Sequence, residues 1–296
     1  MKVLIIGSEG FVGNNLVEGL SKNHEVICAD QLEESTHQDY HQLDVTNLES
    51  VKKIVKDVEV VIDLAAHSLV SSLDGSITNA KVNIIGLLNI LEACRENQIK
   101  KIIFTSASSL IGEPKTFKVS EDHHATPKTA YGITKLTSEH YLRLYSELYG
   151  IKYTVFRFFN IYGPYQKNGL IPSLYNRIIS NQPLTIFGKG DQIRDYVFIK
   201  DVIEFFEKSI SSSIAENQIL NMGTGNGTTI KELIQVLSDI MKESPIIENK
   251  PERPGEIGNF VADSEKLGKT FGKIPTTPLT TGLSETIAWL KENTGK

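Results

Sequence analysis

A glycine-rich turn directly after an apolar segment is the feature that most constrains the fold of this chain. The run VLIIG at 3–7 is apolar throughout, as a parallel strand buried on both faces requires. Gly7, Gly10 and Gly13 follow in the sequence GSEGFVG, and the next apolar residues are spaced for one face of a helix. This strand–turn–helix unit predicts the start of an α/β sheet whose backbone comes close to a bound pyrophosphate.

The rest of the first half continues the alternation of strands and helices. Strand-like segments lie at 25–30, 41–45, 58–66, 100–108 and 152–160, and helical patterns at 47–57, 76–98 and 129–149. Because crossover connections are right-handed, this order predicts a doubly wound parallel sheet, the Rossmann type of α/β fold.

After Asn160 the alternation becomes less regular. The segment IYGPYQKNGLIP (161–172) has a loop-like composition. Short strands are expected at 184–187, 194–198 and 217–221, and helices near 200–212, 229–242 and 280–294. We therefore predict a dinucleotide-binding domain over 1–160, whose core also takes later segments, and a smaller α/β substrate lobe over 161–296.

Composition and charge exclude several classes of protein. Hydrophobic residues make up 40% of the chain and charged residues 23%, which is ordinary for a globular protein. The net charge is −5 without a Lys/Arg-rich run, which is unlike a nucleic-acid-binding protein. No segment reaches the roughly 18–20 apolar residues of a membrane helix.

The cysteines and histidines indicate the compartment and bear on whether the protein binds a metal. Two cysteines, Cys28 and Cys94, cannot form a disulfide framework in a chain of this length. The N-terminal apolar run is too short for a signal peptide, and the histidines fit no metal-binding motif. We expect a cytoplasmic protein with buried free thiols, no bound metal, and no nucleic-acid or membrane partner.

Asp30 ends the second predicted strand and sharpens the prediction for the cofactor. A carboxylate at this position accepts hydrogen bonds from an adenosine ribose and repels a 2′-phosphate. The sequence therefore favours NAD over NADP.

A tyrosine and a lysine are spaced for one face of the helix predicted at 129–149. Tyr131 and Lys135 stand four residues apart in the sequence AYGITK. A nearby ammonium and a positively charged nicotinamide would both stabilise the phenolate of Tyr131, which would make it a usable base near neutral pH.

These motifs together resemble the extended short-chain dehydrogenase/reductase family, and in particular its NAD-dependent sugar epimerase/dehydratase group. The resemblance rests on GSEGFVG, Asp30, LAAHS (64–68), Asn83, TSASS (105–109), YGITK, RFFNIYGPYQ (157–166), FGKGDQIRDYVFIKD (187–201) and RPGE (253–256). It covers nearly the whole chain with the motifs in the expected order, and it is greatest to nucleotide-sugar 4-epimerases of the UDP-glucose (UDP-galactose) type.

The resemblance implies a set of site residues. Tyr131 would be the catalytic base, and Lys135 would lie on the nicotinamide ribose. The other cofactor-binding positions that it implies are Gly7, Ser8, Gly10, Phe11, Val12, Gly13, Asp30, Asp44, Val45, Leu64, Ala65, Ala66, Asn83 and Phe158. The substrate-binding positions are Ser106, Asn160, Thr185, Phe187, Arg194 and Arg253, with the two arginines on the diphosphate.

One segment departs from the family pattern. The family has Ser or Thr five residues before the glycine corresponding to Gly112, and this chain has Ala107 there. That hydroxyl normally contacts the sugar and shares its proton with the tyrosine. We expect Ser108 or Ser106 to replace it, or the tyrosine to work alone.

The same segment bears on the reaction. Family dehydratases carry Asp-Glu, and decarboxylases carry Glu, where this chain has Ser108 and Ser109. Neither hydroxyl can replace a carboxylate as acid or base, so these two reactions are disfavoured.

The activity that the resemblance implies is 4-epimerisation of a UDP-sugar (UDP-glucose, UDP-galactose or an N-acetyl form) with NAD. Tyr131 would remove the O4 proton while a hydride leaves C4, and the 4-keto sugar would turn over before the hydride returns. Apolar faces on the helices at 76–98 and 129–149 would pair in a homodimer. An NAD(P)H-dependent reductase of 4-keto sugars and a non-catalytic NAD-binding protein are the alternatives.

Overall fold

The computed structural model describes residues 1–69, 75–251 and 258–293, and its strands form one large sheet and several small ones. The strands are β1 (Lys2–Ile6), β2 (Glu25–Asp30), β3 (Tyr40–Gln42), β4 (Val60–Asp63), β5 (Lys101–Ala107), β6 (Lys118–Val119), β7 (Lys152–Phe158), β8 (Asn160–Tyr162), β9 (Leu184–Phe187), β10 (Ile193–Arg194), β11 (Tyr196–Phe198), β12 (Gln218–Met222), β13 (Thr228–Thr229), β14 (Ile247–Lys250) and β15 (Asn259–Ala262).

Helices cover the large sheet and build the second lobe. They are α1 (Phe11–Leu20), α2 (Leu48–Val55), α3 (Ser76–Ala80), α4 (Leu87–Glu96), α5 (Ala130–Tyr149), α6 (Leu170–Ile179), α7 (Ile199–Ser211), α8 (Ile230–Met241), α9 (Glu265–Phe271) and α10 (Leu279–Asn293). A π-helical segment (Lys81–Gly86) joins α3 to α4, and a 3₁₀ turn (Ser108–Leu110) follows β5.

The large sheet has seven strands in the order β12-β7-β5-β4-β1-β2-β3, all parallel. The central strand β4 is buried along its whole length, which explains its apolar residues Val60–Ile62. The predicted doubly wound fold is confirmed. Because every strand runs the same way, the carboxyl ends of β1, β2, β4, β5 and β7 meet on one side of the sheet.

The smaller lobe is built around a four-stranded sheet in the order β13-β10-β15-β6. Two pairs of short strands, β11 with β8 and β14 with β9, complete it. The chain also returns to the first domain, since β12 extends the large sheet beside β7 and α7 packs against α1. Later segments therefore cross the boundary predicted at Asn160 and pack in the first domain.

The helix predicted over 76–98 is interrupted. It divides into α3, the π-helical segment and α4, and Gly86 at the end of the π-helical segment packs closely against Val45. A Cβ at Gly86 would lie 2.6 Å from Val45 Cγ2. A single extra residue in a helical turn is the usual origin of such a segment, which is frequent near functional sites.

Three regions of the lobe differ from the predictions. The segment 161–172, predicted as a loop, includes the start of α6, whose Pro172 lies in the first turn, where a helix needs no amide donor. The strand predicted at 194–198 is divided at Asp195. The carboxylate of Asp195 accepts hydrogen bonds from the N–H groups of Thr224, Gly225 and Ala262 at 2.9–3.2 Å, so it joins three segments of the lobe. The strands β14 and β15 and helix α9 were not predicted.

Among the described residues no helix has the length and apolar character needed to cross a membrane. In the same part of the chain, acidic, histidine and cysteine side chains form no cluster that could hold a metal ion. Cys28 and Cys94 are both buried free thiols.

Candidate active site

The glycine-rich turn lies where three parallel strands end. Ile6 at the end of β1 is aligned with Ala29 of β2 and with Asp63 of β4. Gly7 follows with a φ of +89°, a conformation that favours glycine. A Cβ at Gly13 would lie 2.2 Å from the Gly7 carbonyl oxygen. Glycine at 13 is therefore required for α1 to pack against the turn.

The N-terminus of α1 is suited to an anion. In the described residues its N-cap, Gly10, receives no side-chain capping hydrogen bond, and its first turn has no acidic residue. The first amides of a helix lack acceptors within the helix and carry partial positive charge. The main-chain N–H groups of Phe11 and Val12 therefore fit the pyrophosphate that the sequence predicted here.

Beside the turn lies a cavity of about 400 Å³, the glycine-turn cavity. Asp30 lies at its wall, where its Oδ2 accepts the main-chain N–H of Glu9 at 3.1 Å. The other predicted cofactor residues that line it are Gly7, Gly10, Asp44, Val45, Leu64, Ala65 and Ala66.

On the other side of the turn lies a second cavity of about 670 Å³, the tyrosine cavity. It shares Gly7, Gly10, Leu64 and Ala66 with the glycine-turn cavity. It also contains the predicted residues Phe11, Val12, Gly13, Ser106, Ser108, Tyr131, Lys135, Phe158, Asn160 and Arg194. Two cavities on either side of one anion-binding turn match the two halves of a dinucleotide.

Helix α5 places the tyrosine and the lysine in the tyrosine cavity. Its N-cap is Thr129, whose Oγ1 accepts the N–H of Gly132 at 3.0 Å, which fixes the start of the helix one residue before Tyr131. Lys135, one turn later, is 1% exposed and donates from Nζ to the Thr105 carbonyl at 2.8 Å. Nζ lies 5.7 Å from the centroid of the Tyr131 ring.

Burial controls the titration of both groups. It raises the pKa of the Tyr131 phenol to about 12. It also lowers the pKa of the Lys135 ammonium to about 8, although the carboxylates of Asp63 and Glu139 act in the opposite direction. The prediction that Tyr131 is a base near neutral pH includes the charge of a bound nicotinamide beside that of Lys135. In the protein without cofactor, burial raises the pKa of the phenol and so favours its protonated form.

The serines of TSASS differ in their surroundings. Ser106 is 2% exposed and donates from Oγ to Glu139 Oε1 at 2.6 Å, so its hydroxyl is committed to a buried carboxylate. Ser108 is half-buried in the wall of the tyrosine cavity, and its hydroxyl makes no hydrogen bond within the described residues. Of the two predicted replacements for the missing hydroxyl at Ala107, only Ser108 has its hydroxyl available.

Ser109 is a candidate that sequence reasoning missed. It also lines the tyrosine cavity, and its Oγ is buried without a hydrogen-bond partner among the described residues. The sequence offers no signal that separates it from Ser108, because the 3₁₀ turn decides where each hydroxyl points.

A third cavity of about 730 Å³, the lobe cavity, contains the predicted substrate residues of the second lobe. Thr185 and Phe187 line it from β9. Phe159, Asn160 and Arg194 line both the lobe cavity and the tyrosine cavity, so the two cavities adjoin at these residues. Asn160 donates to the Asp195 carbonyl at 3.1 Å.

The lobe cavity also holds polar groups that were not predicted. Tyr196 is 9% exposed, and its hydroxyl has no hydrogen-bond partner among the described residues. Gln166 donates from Nε2 to the Ile161 carbonyl at 3.4 Å, while its Oε1 is buried and also unpartnered in this part of the chain. Buried polar atoms normally have hydrogen-bond partners, so these two atoms are exceptions within the described part of the chain. Tyr196 stands two residues after Arg194, a spacing that could have indicated it.

Two of the predicted residues that the structure describes, Ser8 and Asn83, do not line these cavities. Ser8 is fully buried. Asn83, in the π-helical segment, is 2% exposed and uses its side chain to hold the main chain of His67 and the hydroxyl of Thr134, so its role is to fix the loop after β4 against α5. Arg253 lies outside the described residues.

The parallel sheet, the anion-binding turn and the buried Tyr–Lys pair define an enzyme that works with a bound dinucleotide. The chain belongs to the NAD dependent epimerase/dehydratase family, which it matches over residues 3–223, and its cofactor is NAD.

Three solved structures are similar to the whole chain. They are the UDP-glucose 4-epimerase of Thermotoga maritima with UDP-glucose (31% identity, TM-score 0.90, 99% of each chain covered), the UDP-N-acetylglucosamine 4-epimerase of Methanobrevibacter ruminantium M1 with UDP-N-acetylmuramic acid (29%, 0.92, 98% of each), and the UDP-glucuronic acid 4-epimerase of Bacillus cereus with UDP-glucuronic acid and NAD (29%, 0.90, 99% of each).

Proposed function

We propose that this chain is an NAD-dependent UDP-sugar 4-epimerase. The observation that carries the proposal is that the tyrosine cavity and the lobe cavity adjoin, with Phe159, Asn160 and Arg194 in the lining of both. A nucleotide in the lobe cavity would place its diphosphate at these residues and its sugar beside Tyr131. The three similar structures are 4-epimerases that differ in the sugar and share the uridine diphosphate, which supports this assignment.

NAD would be held by the glycine-rich turn and the walls on either side of it. The amides of Phe11 and Val12 would bind the pyrophosphate, Asp30 the adenosine ribose, and Lys135 the ribose of the nicotinamide. When bound, NAD supplies a hydride acceptor that takes the hydrogen from sugar C4 and returns it to the opposite face.

Tyr131 is the proton acceptor for the sugar 4-hydroxyl. Its phenol is protonated at neutral pH in the protein alone, because burial raises its pKa to about 12. A positive charge on the nicotinamide and the ammonium of Lys135 both favour the phenolate, so base strength is gained only when the cofactor is in place. This restricts deprotonation to the complete site.

Ser108 supplies the hydroxyl that Ala107 lacks. The 3₁₀ turn puts Ser108 and Ser109 in the wall of the tyrosine cavity, and neither side chain has a carboxylate to move protons at C5 or C6. Elimination or decarboxylation of the keto sugar is therefore slow, and the hydride returns to C4.

The sugar is identified by incubating the purified protein with UDP-glucose, UDP-N-acetylglucosamine and UDP-glucuronate separately, with catalytic NAD and no added reductant. We expect the 4-epimer of one of them in the proton NMR spectrum. Tyr131→Phe should give no epimer and keep NAD binding. Turnover of a 4-keto sugar only with stoichiometric NADH would overturn the proposal in favour of a reductase.

The assembly that we propose is a homodimer formed through α3–α4 and α5. Large apolar side chains are exposed on these helices, with Ile77 at 76%, Ile133 at 52% and Leu148 at 61%. Sedimentation equilibrium should give twice the mass of the chain, and Leu148→Glu should give the single-chain mass.

The two buried free thiols support a reducing compartment, the cytoplasm.

A further inference from the structure

Glu9 brings a further carboxylate to the cavity that Asp30 and Asp44 line. It lies inside the glycine-rich turn, and its main-chain N–H donates to Asp30 Oδ2 at 3.1 Å. Both residues line the glycine-turn cavity. The Glu9 side chain is only 16% exposed, so solvent and salt screen its charge incompletely.

The segment after Asp30 holds the Glu9 carboxylate in place. Ser35 Oγ donates to Glu9 Oε1 at 2.6 Å, and His37 Nε2 lies 3.3 Å from the same oxygen. The main-chain N–H of His37 donates in turn to Ser35 Oγ at 2.9 Å. These contacts keep the Glu9 side chain beside the cavity instead of extended into water.

The charges of Glu9 and Asp30 act on the same region. Burial raises the pKa of the Tyr40 phenol, and the carboxylates of Asp30 and Glu9 both add to this rise. Among the described residues that line the glycine-turn cavity, none is a lysine or an arginine. A negative group placed there would meet three carboxylates, those of Glu9, Asp30 and Asp44, and no lysine or arginine among the described lining residues.

We propose that Glu9 is a second cofactor-selecting residue, which acts with Asp30 to accept the ribose 2′-hydroxyl of NAD and to repel the 2′-phosphate of NADP. Repulsion between partly buried charges extends over several ångströms, so Glu9 selects without touching the phosphate. The inference depends on the family's cofactor and not on the UDP-sugar proposed above, and its test needs no sugar.

The test is a competition between the two cofactors. Each variant is equilibrated with equimolar isotopically labelled NAD and NADP until the label has replaced any NAD retained during purification. After rapid ultrafiltration, the bound nucleotides are quantified by mass spectrometry. The variants are Glu9→Gln, Asp30→Asn and the double variant. Glu34→Gln, an exposed carboxylate on the same segment outside the cavity, is the matched control.

We expect the bound NADP/NAD ratio to rise about tenfold in Glu9→Gln and further in the double variant than in Asp30→Asn. Ser35→Ala removes one of the two contacts that hold the Glu9 carboxylate and keeps its charge, so it should raise the ratio less than Glu9→Gln does. A ratio for Glu9→Gln within twofold of that for Glu34→Gln would overturn the proposal. So would a full rise in Ser35→Ala, because the loop and not the charge would then select the cofactor.

Discussion

The Ser106 hydroxyl donates to Glu139 Oε1 at 2.6 Å, and both side chains are almost fully buried. Glu139 is also held by Arg157, whose Nε and Nη2 donate to its two oxygens at 2.9 and 2.8 Å. Ser106 therefore belongs to the support of α5, the helix that carries Tyr131 and Lys135. Another residue must therefore hydrogen-bond to the sugar hydroxyl.

Replacing the two serines should separate these roles. We expect Ser108→Ala to lower kcat/KM for the epimerised sugar about tenfold to a hundredfold with little change in stability. Ser106→Ala should instead lower the free energy of unfolding by about 1.5–3 kcal/mol, because it removes a hydrogen bond to a buried carboxylate. Steady-state kinetics and urea unfolding on both variants test this, and equal activity of Ser108→Ala and native protein would count against the role of Ser108.

The buried pair of Arg157 and Glu139 is expected to be costly to break. Arg157→Met leaves an uncompensated carboxylate on α5 and should lower the free energy of unfolding by about 3–5 kcal/mol. The double variant Arg157→Met/Glu139→Met, which removes both charges, should lose less than the single one. Chemical denaturation measures both, and additive losses would contradict a direct coupling of the two side chains.

Activity should fall as the pH rises through about 8. Burial lowers the pKa of Lys135 to about 8, so its ammonium is present below that pH and is lost above it. The positive charge that favours the Tyr131 phenolate disappears in the same range. A profile of kcat/KM between pH 6 and 10 tests this. A rate that keeps rising to pH 10 would show that ionisation of the phenol controls the profile and the charge of Lys135 does not.

Replacing Tyr196 by Phe should affect stability and UDP binding differently. Its hydroxyl is buried without a partner among the described residues, so Tyr196→Phe should leave Tm unchanged or raise it. The same change should weaken UDP binding about tenfold if the hydroxyl pairs with the nucleotide. Isothermal titration with UDP measures this, with the exposed Tyr149 changed to Phe as the control. Unaltered UDP affinity in Tyr196→Phe would remove this residue from the site.

Local patterns carried most of the sequence prediction. The strand before Gly7, the helix after it and the i, i+4 spacing of Tyr131 and Lys135 depend on neighbours in the chain, and the structure places them as expected. The alternation of elements also sufficed for the parallel sheet, since crossover handedness leaves few arrangements.

What the sequence left open depends on contacts between distant residues. The hydrogen bond from Ser106 to Glu139 joins positions 33 residues apart, and Gly86 in the interrupted helix 76–98 packs against the distant Val45. The burial that raises the pKa of the Tyr131 phenol depends on the whole tertiary structure. None of these leaves a periodic signal in the chain.

The hydride transfer at C4 is tested most directly by following a deuterium label at that carbon. The protein is incubated with the UDP-sugar that it converts, deuterated at C4, in H₂O with catalytic NAD and no reductant. We expect a 4-epimer that keeps the deuterium at C4, because the same hydride leaves and returns within one site. A product with hydrogen at C4 would contradict it, since the C4 hydrogen would then have exchanged with solvent and the hydride-transfer mechanism assigned to Tyr131 and NAD would be wrong.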